Sequence, residues 1–261
     1  TIANATSAEN LVLIGDQMQL SQPMRAKHEG YARMSSLDFI LEDDDTISTD
    51  KGVFLNVTRR LNKKICNYIS TSFYDSRLTS DPITETRSVN LKLDPIKDEG
   101  LFYVPIDHNG CSQRSDEEAD LVEKVFNKIV NKEYKSENIT GKISAKDIMV
   151  VAPYNAQANN IRERLKKKFK DDVRVGTIDL FQGQEAKVVL ISMTTSDVES
   201  LPRHKDFFFS RNRLNVAISR AECVAIIIFN ENLLLASASN IKEMKLINSF
   251  CKLLEFKTNY K

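Results

Sequence analysis

The 261-residue sequence has none of the marks that most often announce a function class. No apolar run approaches the length of about 18 residues that a membrane-spanning helix needs. The opening TIANATSAEN has neither a cationic start nor an apolar stretch, so it does not read as a signal peptide. Four cysteines, Cys66, Cys111, Cys223 and Cys251, include no C-x-x-C pair, and the three histidines are equally scattered. Spacing alone therefore offers no zinc cluster and no disulfide framework. Reduced cysteines in a cytoplasmic protein are the expectation. Metal-hydrolase and Cys/His-nucleophile chemistries lose most of their support at the same step. With 37 basic and 36 acidic residues the net charge is +1, which excludes wholesale adhesion to nucleic acid or membrane but leaves room for a local basic stripe. None of the eight glycines opens a G-x-x-x-x-G-K-[ST] or G-x-G-x-x-G pattern, so the chain by itself cannot cradle a triphosphate in a P-loop. Internal repeats and low-complexity segments are absent as well. The chain begins at Thr1, not methionine, which suggests a piece of a longer protein.

What is present is an ordinary globular composition, 41% apolar and 28% charged, with enough length for a substantial core. Asn10 to Ile14 (NLVLI) reads as a short buried strand ending at Gly15-Asp16. A helix is expected over Ser35 to Leu41 after the Gln19 to Pro23 stretch. The acidic run Glu42 to Asp45 then reads as a solvated loop, and a domain boundary is placed between Glu42 and Asp50. Beyond it strands and helices alternate. Strands are expected at Val53 to Val57, Leu101 to Ile106, Asp147 to Ala152, Val173 to Ile178, Lys187 to Met193 and Cys223 to Phe229. Helices are expected at Leu61 to Tyr74, after the capping box Ser115-x-x-Glu118, from Asn155 onward, and at Ile241 to Leu254. Pro82 to Gly100 reads as an irregular surface excursion. This alternation predicts an α/β fold whose parallel sheet is covered by helices on both faces. Ligands are then expected at the carboxyl ends of the strands.

Several polar and cationic residues fall at the edges of those strands. In Gly15-Asp16-Gln17-Met18-Gln19-Leu20, Asp16 can cap the turn and the Gln19 amide can orient a phosphate or a water. Arg59-Arg60 opens a helix, where a cation opposes the helix dipole unless an anion is bound nearby. Val175-Gly176-Thr177-Ile178-Asp179 leads into Phe181-Gln182-Gly183-Gln184-Glu185, a turn whose amides can hold phosphate oxygens while Glu185 accepts from a sugar hydroxyl. In RNRLNVAISR, Arg213 and Arg220 are seven residues apart, which puts them on a similar side of a helix. Two cations held there need an anionic partner, either a carboxylate or a phosphate. RERLKKKFK (162–170), with six basic residues and one acid, reads as a solvated helix face, with a nucleic-acid contact as the alternative.

Taken in order, these segments resemble a superfamily 1 helicase of the 5′-to-3′ group, which includes the RNA-surveillance and Okazaki-fragment helicases. LVLIGDQMQL is similar to motif III, VTRRLNKKICNYISTSFYDSRL to motif IV with its following helix, VAPYNAQ to the segment between motifs IV and V, VGTIDLFQGQEAKVVLIS to motif V, and RNRLNVAISRAE to motif VI. The resemblance spans nearly the whole chain and is strongest to bacterial proteins that join a RecB-like nuclease segment to such a helicase. It implies two RecA-like domains with ATP and Mg²⁺ bound between them. Residues 1–45 would be the end of the first domain and residues 46–261 the second, with the P-loop and the Mg²⁺-binding motif upstream of Thr1. Carried over by motif position, Gln19 would sense the γ-phosphate, and Arg60 and Arg220 would contact it as arginine fingers. Asp16, Gly183, Glu185 and Arg213 would serve nucleotide binding, Glu185 at the ribose and Gly183 by letting the backbone approach closely. Tyr154, Asn155, Gln157, Thr177 and Asp179 would lie along single-stranded nucleic acid, DNA in preference to RNA. Expected partners are the upstream RecA-like domain, a nuclease domain in the same polypeptide, and no membrane; no metal ligand is assigned in this chain. The competing reading is a helicase-like module that grips nucleic acid or protein without turning over ATP. A nuclease active site within these residues has no support, because no Asp/Glu/Lys constellation is present.

Overall fold

The computed structural model describes residues 6–20, 30–42, 44–94, 96–137, 139–197 and 208–258. In chain order the helices and strands are α1 (Ser36–Leu41), β1 (Val57–Thr58), α2 (Lys63–Phe73), β2 (Thr79–Ser80), β3 (Ser88–Val89), β4 (Gly100–Pro105), α3 (Asp116–Ile129), β5 (Glu133–Ser136), β6 (Ile139–Lys142), β7 (Ile148–Val151), α4 (Asn155–Phe169), β8 (Arg174–Gly176), β9 (Ala186–Ser192), α5 (Arg211–Ile218), β10 (Ala221–Phe229) and α6 (Ile241–Thr258). Five strands form the central sheet in the order β4-β10-β9-β7-β8, and every pairing within it is parallel. The expected α/β class, a parallel sheet with helices on both faces, is what the chain adopts.

The two faces follow from the period-2 alternation of strand side chains. On β10, Ala225, Ile227 and Phe229 join one core, while Val224, Ile226 and Ile228 join the other. The same split divides Val189 and Ile191 from Val188 and Leu190 on β9, and Met149 and Val151 from Ile148 and Val150 on β7. Such strands are apolar at every position because neither face meets water. One face is covered by α2, α5 and α6, the other by α3 and α4. Helix α3 supplies Val122, Val125, Phe126 and Ile129 to its core, and α4 supplies Ala158, Ile161 and Leu165.

Helix α2 is held in place by its cap. Asn62 Oδ1 accepts from Ile65 N at 3.0 Å, and Asn62 Nδ2 donates to the Cys223 carbonyl of β10 at 2.6 Å. The residue is fully buried. Asn62→Ala leaves a buried amide and a buried carbonyl without partners and is expected to cost about 2–3 kcal/mol, which urea denaturation measures directly.

Four expectations need correction. Asn10 to Ile14 is not a strand; it is irregular, with Val12 82% and Ile14 88% exposed. Strand propensity cannot form a strand without a neighbour to bond, and no described residue pairs with this segment. The expected Val53–Val57 strand is reduced to β1, which starts at Val57 and pairs with β2, while Val53 and Leu55 are exposed. Pro82 to Gly100 is not merely irregular: β3 within it joins the β5–β6 hairpin in a three-stranded antiparallel sheet that sequence reading missed. The acidic run is more than a solvated loop, since Asp45 is paired with Arg211 at 3.0 Å. Of the Gln19 to Pro23 stretch, residues 21–23 lie outside the described residues.

Half of the capping box is also different. Ser115 Oγ accepts from Glu118 N at 3.0 Å as expected. Glu118 itself does not return to the cap. Its side chain is fully buried, where Oε2 accepts from Ser192 Oγ at 2.5 Å and Thr194 N at 2.8 Å. Ser115 N bonds Gln157 Oε1 instead.

Candidate functional site

Helix α5 and the turns before β9 and β10 bring most of the expected catalytic residues together. Arg220 stands immediately before β10, Glu185 immediately before β9, and Arg60 just ahead of the α2 cap. The cluster therefore sits at the amino ends of β9 and β10, and the expected carboxyl-end location does not hold for it. Glu185 and Arg220 are at that end because they belong to the segments that enter β9 and β10.

Arg220 is 2% exposed. Nη1 donates to the Gln184 carbonyl at 3.2 Å and Nη2 to Gln19 Oε1 at 3.3 Å, while Nε has no hydrogen-bond partner among the described residues. None of these acceptors carries a charge. Burial first, and the neighbouring Arg60 second, depress its pKa from the ordinary arginine value, yet a guanidinium keeps its proton at neutral pH. The Asp16 and Glu185 carboxylates act on it from nearby without touching it, and a buried cation with no direct ion pair is costly by several kcal/mol. Arg60 is more open; its Nε meets Glu185 Oε2 at 2.8 Å and its Nη1 the Ser219 carbonyl at 3.4 Å. Arg59, by contrast, is 85% exposed and pairs with Asp81 at 3.3 Å.

The Asp16–Gln19 turn is fastened to this cluster by residues to which sequence reading gave no role. Asn212 Nδ2 donates to the carbonyls of Gln17 and Gln19 at 2.8 and 2.6 Å, and Asn215 Nδ2 to that of Met18 at 2.8 Å. Tyr74 Oη donates to Asp16 Oδ2 at 2.7 Å and accepts from Asn215 at 3.0 Å. Burial and the Asp16 carboxylate both push the Tyr74 phenol well up from its usual value. Asp16 Oδ2 also accepts from Gln19 Nε2 at 2.8 Å, which turns the Gln19 carbonyl oxygen toward Arg220. The Asn212-x-x-Asn215 spacing on α5 was the available signal, one helical face carrying two amides. Arg211 anchors the start of the same helix on Asp45 and on the Ser72 carbonyl.

The remaining expected residues divide. Arg213 forms a two-point contact with Asp179, at 2.9 and 3.2 Å. The residue expected at the nucleotide and the residue expected along the strand are thus in contact with each other. The seven-residue argument for Arg213 and Arg220 fails, because α5 ends at Ile218 and Arg220 lies beyond its C-cap. Gly183 has φ +77° with open space where a Cβ would stand, so glycine is needed for the turn's conformation. Asn155 is exposed and Thr177 half-buried. Gln157 is fully buried, with its amide bonded to Ser115 and Ser192. It cannot line a strand, and the buried Tyr154 ring presents little surface to one. The basic run of α4 is largely taken up at home, Arg164 by Asp116 and Asp120 and Lys166 by Asp171.

The sequence profile of a family described as an AAA domain matches residues 35–232, a span that holds Arg60, Glu185 and Arg220. The chain belongs to this AAA-domain family, among the superfamily 1 helicases. The chain is 30% identical over 234 residues to the DNA polymerase alpha-associated DNA helicase A of Schizosaccharomyces pombe, covering 85% of this chain and 34% of that protein. It is 28% identical over 245 residues to an uncharacterized ATP-dependent helicase of Methanocaldococcus jannaschii, covering 86% and 33%. With the RNA helicase Mov10l1 of Mus musculus the identity is 35% over 100 residues, covering 37% and 8%. The chain thus spans about a third of the length of the first two relatives.

Proposed function

We propose that this chain is the C-terminal motor half of an ATP-dependent helicase or translocase acting on single-stranded nucleic acid. Residues 46–261 form the second RecA-like domain, and residues 1–45 end the first, whose P-loop and Mg²⁺ site lie in the upstream part of the polypeptide. The observation that carries this reading is Arg220: a buried guanidinium that meets only neutral oxygens, with one N–H unmatched. A terminal phosphate is the anion that suits it, and a module that only grips a strand or a protein has no use for such a group.

The residues present fit that nucleotide. Arg220 and Arg60 would flank the γ-phosphate, Gln19 would orient a water or phosphate oxygen, and Glu185 would accept from the ribose. ATP with Mg²⁺ supplies the leaving group and the neutralising metal charge for phosphoryl transfer. For Arg60 to reach a phosphate it exchanges Glu185 for the ligand. An exposed pair of this kind contributes under about 1 kcal/mol, so the exchange is easy. Arg60 freed toward phosphate and Glu185 freed toward sugar then occur in one movement. Because fingers and P-loop stand on different domains, turnover is coupled to domain closure. The strand would run past Asn155 and Thr177. The relatives' names include both DNA and RNA helicases, so the choice of strand is put to experiment.

Steady-state ATP hydrolysis by the full-length protein, with single-stranded DNA, with RNA and with neither, tests the proposal. Strand-stimulated turnover supports it, and the better stimulator names the substrate. No turnover with either strand favours the grip-only module. The isolated 261-residue chain is expected to show no ATP hydrolysis above background, and turnover by that pure chain that disappears in Arg220→Ala would refute the two-domain division of the site.

A further inference from the structure

At the opposite end of the sheet, beyond the carboxyl ends of β4 and β9, a second group of polar side chains has no part in the nucleotide site. His108 follows β4 and its side chain is fully buried. Its Nε2 stands 3.1 Å from Glu118 Oε1, and Glu118 already accepts from Ser192 and Thr194 through its other oxygen. A carboxylate in that accepting role leaves the hydrogen on Nε2. Nδ1 then carries a bare lone pair, and it has no hydrogen-bond partner among the described residues. A buried acceptor left unmatched costs about 1–3 kcal/mol. Beside it, a ring nitrogen of His108, the Cys111 Sγ and a Glu117 carboxylate oxygen all lie within 4.8 Å of one another.

We propose that His108 Nδ1, Cys111 Sγ and Glu117 Oε2 bind a zinc-type divalent ion, with a water in the fourth position. The donor set decides the class of ion. Imidazole, thiolate and one carboxylate suit zinc or cobalt and are poor ligands for magnesium or calcium, which take oxygen. Distances agree with a site that closes slightly on loading. Ligand atoms at about 2.0–2.3 Å from a tetrahedral zinc lie about 3.5 Å apart. The Cys111 Sγ to Glu117 Oε2 separation is 3.8 Å, already close to that value.

The surroundings are those a metal site needs. Glu118 on the far ring nitrogen is the outer carboxylate that orients a metal-bound histidine and strengthens it as a ligand. The Cys111 backbone is pinned on both sides, its N–H to Ser196 Oγ at 3.0 Å and its carbonyl accepting from Ser196 N at 2.9 Å. Ser115 Oγ donates to Glu117 Oε2 at 3.0 Å. Cys111 is half-buried and Glu117 exposed, so an ion has a way in. Once bound, it fastens the 109–112 loop to the first turn of α3. The sequence conceals the site, because a single histidine and cysteine three positions apart have no second such pair elsewhere, and the third ligand is a glutamate that opens a helix.

Cobalt(II) added to the chelator-treated, reduced chain provides the test, since a thiolate ligand gives a near-ultraviolet charge-transfer band. One cobalt per chain with that band, displaced by zinc, is expected. Cys111→Ser should abolish the band, whereas Cys251→Ser, the other half-buried thiol, should keep it. Glu118→Gln, which touches none of the three ligand atoms but changes the partner of His108 along with the bonds to Ser192 and Thr194, should weaken binding by about 10- to 100-fold in protein shown to be folded. Zinc should raise the melting temperature of the wild type and leave that of Cys111→Ser unmoved. Cobalt binding without a thiolate band, a band that survives Cys111→Ser, or no stoichiometric binding overturns the site. Unchanged affinity in Glu118→Gln overturns the assignment of His108 Nδ1 as a ligand.

Discussion

Arg220→Ala in the full-length protein is expected to lower strand-stimulated ATP turnover by about 10³-fold or more. An arginine finger acts on charge that develops during phosphoryl transfer, so the loss should fall on kcat much more than on KM. Arg220→Lys should not rescue it, because an ammonium cannot offer two parallel N–H groups to one phosphate. The fold should tolerate the change. The buried guanidinium forms no ion pair among the described residues and leaves Nε unmatched, so removing it strands no buried carboxylate. Arg59→Ala is the matched control, since Arg59 is exposed and directed to Asp81; its turnover should equal wild type. Arg60→Ala should also be impaired, as the second cation at the same place. Full activity in Arg220→Ala, with the protein folded, would end the finger assignment.

The second large effect concerns stability. Glu118→Ala removes the acceptor for Ser192 Oγ and Thr194 N, together with the partner of His108 Nε2, all in the interior. Three stranded donors plus the cavity predict a loss of about 3–5 kcal/mol. Since a domain is stable by only about 5–15 kcal/mol, the variant should unfold at a much lower urea midpoint. If Glu118 were the exposed outer half of a capping box, alanine would cost about 1 kcal/mol or less. Denaturation of the variant, with the slope unchanged, separates these two values. Glu118→Gln keeps an acceptor oxygen and should sit between wild type and alanine, which also keeps it usable in the cobalt experiment.

Much of the architecture was legible because it rests on local signals. The runs at Ile148–Val151, Ala186–Ser192 and Ala221–Phe229 are apolar at nearly every position, and short apolar runs between helical stripes describe a parallel sheet buried on both faces. Ser115, Asn62 and Ser35 each precede a helix and cap it through the side-chain oxygen that such residues place there. The order of the motifs likewise identified the family, and with it the grouping of Gln19, Arg60, Glu185 and Arg220.

Partner choice was not legible, because it is settled by atoms far apart in the chain. Arg213 meets Asp179 across 34 residues, Gln157 meets Ser115 across 42, and Glu118 meets Thr194 across 76. Nothing in the local pattern says that Gln157 turns inward while Asn155, two residues earlier, faces water, since a polar side chain is compatible with either until a buried partner is supplied. Leu11 to Ile14 shows the same limit from the other side. Its residues have every local preference for a strand, but a strand exists only when a neighbour takes its N–H and C=O groups. Sequence by itself determined the main helices, the strands of the central sheet and the family, because helix caps and hydrophobic periods act within a few residues. Only the tertiary structure decided which buried arginine touches no carboxylate and which histidine nitrogen is left bare, because burial and hydrogen bonding are properties of neighbours in space.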